Sequence, residues 1–294
     1  MTAPLPPVGE LLRQHARTFA LTLRLLPPEL GRPLGIAYLL ARASDTVADG
    51  VAIPRGRRLE LLEGLSAALA AGEPERWAPR ILPGELPGPE TELVATLPQL
   101  LAALECLPDR AEVLRLWITI LEGQLFDLRR FVPGAAPLSR GELEHYCQLV
   151  AGSVGESWTR LTATHAPEVM SLPVGEMSAY ATAYGKGLQL TNILRDRAAD
   201  RLLGRVYVRE EEVPELLGLA EAWLMEGNRF VRHLHGGRIR YASQLPAALA
   251  RRTLGGIRRE PGSARIKVPR REVYGLLLIT LPSLWLRGRS NPAS

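Results

Sequence analysis

The aspartates of this chain are few and unevenly placed. Of its 31 acidic residues six are aspartate, and four of the six form two pairs at spacing four, Asp45/Asp49 and Asp196/Asp200. Random placement would give about 0.1 such pairs. Because Asp is a poorer helix former than Glu, its use at these positions indicates that a short carboxylate is needed there. Residues four apart on a helix lie on one face, one turn apart.

Two carboxylates one turn apart repel each other, and a divalent cation bound between them removes that repulsion. Mg²⁺ takes few protein carboxylates and completes its shell with water and phosphate oxygens. Two Asp pairs on facing helices of a bundle would therefore form a Mg²⁺–diphosphate site. The alternative is that each pair is a solvated helix face. The largely apolar stretches 37–41 and 187–194, which precede the two pairs, disfavour that alternative.

Arginines accompany both pairs. Arg42 stands three residues before the first pair and shares its helix face, Arg195 is adjacent to the second pair, and Arg205 follows it by five residues. Arg17 lies near the start of the chain. A guanidinium is a planar fork that matches phosphate oxygens, so these arginines are candidate diphosphate ligands. Any one of them could equally pair with a surface Glu, because 34 of the 36 basic residues are arginine.

The elements that must position these residues are helices. Apolar residues recur at intervals of three and four, and Leu, Ala, Arg and Glu dominate, so the chain is predicted to be all-α. The predicted helices span about 9–24, 29–49, 57–71, 90–105, 109–131, 139–165, 174–201, 212–235, 241–259 and 270–286. The Pro/Gly-rich stretch 72–89 is the longest predicted loop, a lid or, more simply, a surface connection.

Composition places the chain among folded globular proteins. Its 294 residues are 46% apolar and 23% charged, which excludes a disordered, collagen-like or coiled-coil description of the whole chain. No composition shift marks a second domain, so a single domain over 1–294 is expected. Two cysteines, Cys106 and Cys147, cannot build a disulfide framework and favour a reducing compartment. The first residues lack the features of a signal peptide, so we expect a cytoplasmic protein.

The basic surplus lies in the C-terminal third, where residues 201–294 hold 17 Lys and Arg against 8 Asp and Glu. These cations lack interleaved aromatics or a recognised motif, so no nucleic-acid partner is expected. Peripheral contact with an anionic membrane fits the basic surplus better. The apolar segment 274–286 is shorter than the roughly 20 residues of a transmembrane helix and contains Pro282, so it is predicted not to span a bilayer.

Three blocks of the sequence, in order, resemble the motifs of the squalene/phytoene synthase family, the head-to-head prenyl synthases. The blocks are RTF at 17–19 with YLLARASDTVAD at 38–49, YCQLVAGSVG at 146–155, and LQLTNILRD at 188–196 followed by Asp200, Gly204 and Arg205. The resemblance implies a single isoprenoid-synthase-type helical bundle with a central cavity, formed by most of the chain.

The resemblance also implies a reaction. Two allylic diphosphates, most simply farnesyl diphosphate, would join C1 to C1 through a cyclopropyl intermediate such as presqualene diphosphate. Hydride from NADPH would then give squalene. Proton loss would instead give dehydrosqualene, or phytoene where geranylgeranyl diphosphate is the substrate, and an enzyme without the reductive step could stop at presqualene diphosphate. The implied cofactors are Mg²⁺ and NADPH.

Site roles follow from the matched positions. The implied metal ligands are Asp45, Asp49, Asn192, Asp196 and Asp200. The implied substrate-binding residues are Arg17, Arg42, Val150, Gly152, Gln189, Asn192, Arg195 and Arg205. Tyr38 and Tyr146 match tyrosines near the reacting carbons, where a phenol stabilises a cation or relays a proton. Arg42 and the four aspartates complete the implied catalytic set. Gly152 and Gly155 would let the chain pass close to the prenyl tail, or would simply allow tight helix packing.

Departures from the family pattern are small. Many relatives carry a further acid where this chain has Ala48, and a Ser where it has Ala16. The segment YASQLP at 241–246 only loosely resembles the late helix of squalene synthases, which puts NADPH use in doubt. In contrast, VAG at 150–152 and the basic run 265–271 look nearer to squalene synthases than to phytoene synthases. A head-to-tail elongator or terpene cyclase would show a DDxxD-type run, which this chain lacks. A non-catalytic relative of the same fold would be expected to lose the Asp pairs, and all four residues are present.

Overall fold

The computed structural model describes residues 8–15, 22–79, 81–235 and 237–260. Over these ranges the chain is helical with no strand, and its one isolated β-bridge joins Met170 and Leu234. The all-α prediction is therefore confirmed. The described residues fall into two compact units, one of Pro28–Val132 with the residues up to Arg24, the other of Leu25–Pro27 with the residues from Pro133. The single domain over 1–294 stays a prediction.

The first unit contains six α-helices whose full bounds are described, and residues 22–25 are also helical. The six are α1 (Val8–His15), α2 (Pro28–Asp49), α3 (Arg55–Ala70), α4 (Gly88–Ala95), α5 (Leu97–Glu105) and α6 (Arg110–Arg130). Helix α6 packs against both α2 and α3. Trp117 on α6 is fully buried and donates its indole N–H to Ser44 Oγ at 3.2 Å, and Gln124 donates to the Ala41 carbonyl at 3.2 Å. These bonds fix the C-terminal half of α2 against the core.

The second unit is built around one long helix. In chain order its helices are α7 (Arg140–Cys147), α8 (Ser153–His165), α9 (Val174–Leu202), α10 (Val213–Arg232) and α11 (Gly237–Arg259). A π-helical segment, Gln148–Gly152, joins α7 to α8. Helix α9 packs against α8, α10, α11 and the π-helical segment. A capping box between Ser139 and Glu142 starts α7, because each side chain accepts a bond from the other's backbone N–H.

Most predicted helices are found with boundaries shifted by a few residues. The predicted helix 90–105 is two helices, because Pro98 cannot donate the backbone bond to residue 94 and the chain turns at Thr96. Helix α11 begins at Gly237, four residues before the predicted start. The predicted helix 9–24 falls partly outside the described residues, and 270–286 lies wholly outside them. In the described part of the chain no helix is both long and apolar enough to cross a bilayer.

The two cysteines lie in different surroundings. Cys106, which follows α5, is exposed, and Cys147, the last residue of α7, is fully buried. Burial raises the pKa of the Cys147 thiol to about 12.

Candidate active site

The last two turns of α2 carry the first aspartate pair. Asp45 is 39% exposed and Asp49 is exposed, so both carboxylates are open to solvent. Arg42 Nη1 donates to Asp45 Oδ2 at 2.5 Å, as its spacing of three predicts. Partial burial works against the charge of Arg42, but the attraction of Asp45 outweighs it and raises the pKa of the guanidinium. Arg42 and Asp45 therefore form one charged unit on the face that also carries Asp49.

Tyr38 stands one turn before Arg42 on the same helix. Its hydroxyl donates to the His15 carbonyl oxygen at 3.1 Å, which ties the end of α1 to α2. Burial, and then the nearby Arg42 charge, lower the pKa of the His15 imidazole. The structure thus brings Tyr38, Arg42 and Asp45 together on α2, and the role of Tyr38 near the reacting carbons stays a prediction.

The second aspartate pair lies on the last turns of α9. Arg195 donates two hydrogen bonds to the Asp196 carboxylate, from Nε to Oδ1 at 2.9 Å and from Nη2 to Oδ2 at 2.5 Å. The hydrogen bonding of Arg195 to the Asp196 carboxylate is the main cause that raises the pKa of the guanidinium. Arg205 Nη2 lies 3.8 Å from Asp200 Oδ1, and the Arg205 backbone N–H donates a hydrogen bond to the Asp200 carbonyl oxygen at 2.9 Å.

The turn after α9 explains how Arg205 reaches Asp200. Gly204 adopts φ +79°, a conformation that favours glycine, and so reverses the chain directly after the helix. Gln189 lies on α9 two turns before Asp196 and is partly buried, whereas Asn192 lies one turn before Asp196 and is exposed. Their contacts to metal waters or phosphate stay predictions.

Both aspartate pairs offer oxygen ligands at solvent-accessible positions. Among the described residues, no three His, Cys, Asp or Glu side chains come together, so neither pair forms a complete protein cage for a metal. Mg²⁺ needs no such cage, because one or two carboxylates hold it together with water and substrate phosphates. The residues present therefore fit Mg²⁺ bound with a diphosphate.

Tyr146 on α7 has an aromatic partner that the sequence analysis missed. Its ring stacks on that of Tyr207 with centroids 5.3 Å apart, and the two hydroxyl oxygens are 3.5 Å apart. Tyr207 is buried and follows Arg205 by two residues. The available signal was weak: an aromatic residue beside a candidate ligand, in a chain with only 5% aromatic residues.

The middle motif contains the π-helical segment. Val150 is partly buried within it and Gly152 is buried. A Cβ on Gly155 would lie 2.1 Å from the Ala181 carbonyl oxygen, and a Cβ on Gly185 would lie 2.1 Å from that of Ala151. The helix-packing explanation of Gly155 is thus supported by geometry, whereas the atoms nearest to a Cβ on Gly152 belong to the flexible side chain of Gln148.

Lys186 on α9 links the two helices that carry Tyr146 and Asp196. Its Nζ lies 3.2 Å from Glu144 Oε2 on α7 and 4.2 Å from the ring centroid of Trp223 on α10. Arg140 also bonds Glu144, at 2.8 Å. Burial raises the pKa of Glu144, but the bonds from Arg140 and Lys186 outweigh it and lower that pKa overall.

We expect Lys186→Met to lower the free energy of unfolding by about 1 kcal/mol near neutral pH, because it removes the cation–π contact and one partner of Glu144. A lowered carboxyl pKa stabilises the fold above the unfolded pKa, and this stabilisation is lost as pH falls through the folded pKa. The difference in free energy of unfolding between wild type and Lys186→Met should therefore be smaller at about pH 3 than at about pH 7, as measured by urea unfolding. Lys186→Arg, which keeps the charge and the stacking on Trp223, is the control. If the difference in free energy of unfolding did not change with pH, the stabilising role of the Lys186–Glu144 bond would be wrong.

Some predicted features lie outside the described residues. They are Arg17, the basic run 265–271 and the apolar segment 274–286. The remaining site residues are described within their own units, and a joint site formed by the two aspartate pairs stays a prediction.

Comparison with known proteins identifies the family. The family model described as squalene/phytoene synthase matches residues 12–215. This chain belongs to the squalene/phytoene synthase family. The match includes every predicted site residue. The resemblance seen in the three sequence motifs is thereby confirmed.

The relatives of this squalene/phytoene synthase family member include proteins named phytoene synthase and others named squalene synthase. It is 30% identical over 230 residues to phytoene synthase 3 of Zea mays, covering 74% of this chain and 45% of the relative. It is 28% identical over 215 residues to squalene synthase LSS of Botryococcus braunii, covering 72% and 42%. The chain thus spans less than half the length of these relatives. The solved structure of TcSQS with a ligand shares the fold, with a TM-score of 0.77 and 21% identity over 98% of this chain and 92% of that one.

Proposed function

We propose that this chain joins two farnesyl diphosphates head to head, through presqualene diphosphate, to give squalene, with Mg²⁺ at the aspartate pairs and NADPH as reductant. The observation that carries the proposal is the pairing of a motif arginine with a motif aspartate on each of α2 and α9, at 2.5 Å in both cases. Family membership supports the class of reaction, a prenyl transfer from a diphosphate.

The proposed chemistry assigns each group a task. Bound Mg²⁺ would supply Lewis-acid neutralisation of the leaving diphosphate. Arg42, Arg195 and Arg205 bind phosphate oxygens and stabilise the charge that leaves with them. Departure of the first diphosphate and loss of one proton accompany the bond that closes the cyclopropyl ring. Departure of the second diphosphate gives a cyclopropylcarbinyl cation, which rearranges and opens its ring to form the C1–C1 bond. A hydride from NADPH would then reduce the rearranged cation to squalene.

Tyr146 would act beside the reacting carbons, and its partner Tyr207 would hold the phenol in place by stacking. A phenol at that position stabilises a neighbouring cation with its ring and relays a proton with its hydroxyl. We also propose a peripheral contact with an anionic membrane through the basic C-terminal third, since the substrate tails and the product are apolar.

A second candidate is phytoene synthesis from geranylgeranyl diphosphate, which the similarity to the maize phytoene synthase favours. In this case the second cation loses a proton and no reductant is consumed. Dehydrosqualene from farnesyl diphosphate would follow the same route with shorter chains.

The test is incubation of the purified protein with Mg²⁺ and either farnesyl or geranylgeranyl diphosphate, each with and without NADPH, followed by mass spectrometry of the extracted lipid. From farnesyl diphosphate we expect squalene only in the tube with NADPH. Dehydrosqualene or a presqualene product in both tubes would overturn the reductive step. Phytoene formed only from geranylgeranyl diphosphate would establish the second candidate, and no product from either substrate would favour the non-catalytic relative.

A further inference from the structure

Arg42 contacts a second carboxylate besides Asp45. Its Nη2 atom lies 3.7 Å from Oε1 of Glu90, while its Nη1 atom bonds Asp45 at 2.5 Å. The two acids occupy different nitrogens of one planar guanidinium, so both contacts exist at once. Arg42 and Glu90 are each about one third exposed, at 32% and 33%, so solvent reaches both side chains.

Glu90 is held at this point by the start of its helix. It is the third residue of α4, and Pro87 and Pro89 fix the backbone immediately around it. Leu93 and Val94, in the next turn of α4, are buried and so anchor the helix. The first turn of a helix also favours a negative charge. The carboxylate of Glu90 is therefore fixed by a short anchored helix rather than by a loop.

Several carboxylates attract the charge of Arg42. Asp45 and Glu90 contact its guanidinium, and the charge of Asp49 attracts it as well. Asp45 alone would neutralise Arg42, so Glu90 is not needed for that purpose. If Asp45 bound a metal ion, Glu90 would remain as a carboxylate partner of Arg42.

We propose that Glu90 is a positioning residue, which keeps the guanidinium of Arg42 at the diphosphate when Asp45 binds the metal. The inference rests on the proposed function, in which Asp45 is a Mg²⁺ ligand and Arg42 a diphosphate ligand. Glu90 itself acts through Arg42 and lies outside the motifs that the sequence identified. Without it, Arg42 would stay bound to Asp45 and compete with the metal.

The test is calorimetric titration of inorganic pyrophosphate into the full chain in the presence of Mg²⁺. We expect Glu90→Gln to raise the Kd by about two- to fivefold, the range of a partly exposed ion pair. The matched control is Glu92→Gln, which removes the same charge from an exposed position on the same helix and should leave the Kd unchanged. The KM for farnesyl diphosphate should rise in proportion while kcat stays within about twofold.

The possible outcomes separate the inference from the function beneath it. If both variants bind like wild type, or if Glu90→Gln binds more tightly, the positioning role is wrong while the proposed function stands. If Glu92→Gln weakens binding as much as Glu90→Gln, the effect is one of charge alone and the role is also wrong. If wild type itself binds no pyrophosphate with Mg²⁺, the proposed site fails, and this inference fails with it.

Discussion

If the proposed function holds, Asp196→Asn should lower turnover of farnesyl diphosphate at least about a thousandfold, because it removes a carboxylate charge proposed to hold the metal against the leaving group. Asn has nearly the same volume as Asp, so the helix should remain intact. The loss concerns chemistry rather than folding, since the Asp196 carboxylate is 39% exposed and supports no part of the core. Mass spectrometry of the lipid product measures the loss, and circular dichroism verifies the fold.

Asp109→Asn is the matched control for this experiment. Asp109 is also an aspartate, directly before α6, but it lies outside both motif pairs. It should keep activity close to that of wild type. Wild-type turnover by the Asp196→Asn enzyme would exclude the metal assignment, and equal losses in both variants would indicate damage unrelated to the motif.

Gly185→Ala should lower the free energy of unfolding by about 3 kcal/mol, with a fall in Tm of roughly 10 °C. The added Cβ would lie 2.1 Å from the Ala151 carbonyl oxygen and 2.7 Å from its carbon. Backbone atoms cannot rotate away as a side chain does, so α9 and the π-helical segment must separate. Thermal unfolding followed by circular dichroism measures the effect.

Gly175→Ala, near the start of the same helix, is the control. A Cβ there has nothing within 4 Å, so the substitution should be neutral or stabilise by up to about 1 kcal/mol through helix propensity. If Gly185→Ala unfolds at the wild-type temperature, the close approach of the two backbones is wrong. If both variants are destabilised alike, the cause is not this contact.

Local rules predicted much of this molecule. The Arg42–Asp45 bond follows from spacing alone, because residues three apart share a helix face, and the structure has it at 2.5 Å. The boundaries of α2 and α9 lie within one residue of the prediction, because proline stands directly before or at the start of each helix and glycine follows closely after its end.

Contacts between distant parts of the chain were not predictable in this way. The contact of Glu90 with Arg42 joins residues 48 positions apart, and the stacking of Tyr146 on Tyr207 joins residues 61 apart. Periodicity carries no information on which helix faces meet. The π-helical segment was also missed, because it adds one residue to a turn without changing the apolar pattern around it.

The contrast between the two cysteines gives this protein a single addressable labelling position. A maleimide dye attacks thiolate, and a buried thiol with a pKa of about 12 supplies almost none at neutral pH, so Cys147 should stay unlabelled. Cys106, exposed at the end of α5, would take the dye without any engineered substitution. A fluorophore there would report on the unit that carries Asp45 and Asp49 during metal and pyrophosphate titrations of the unmodified sequence.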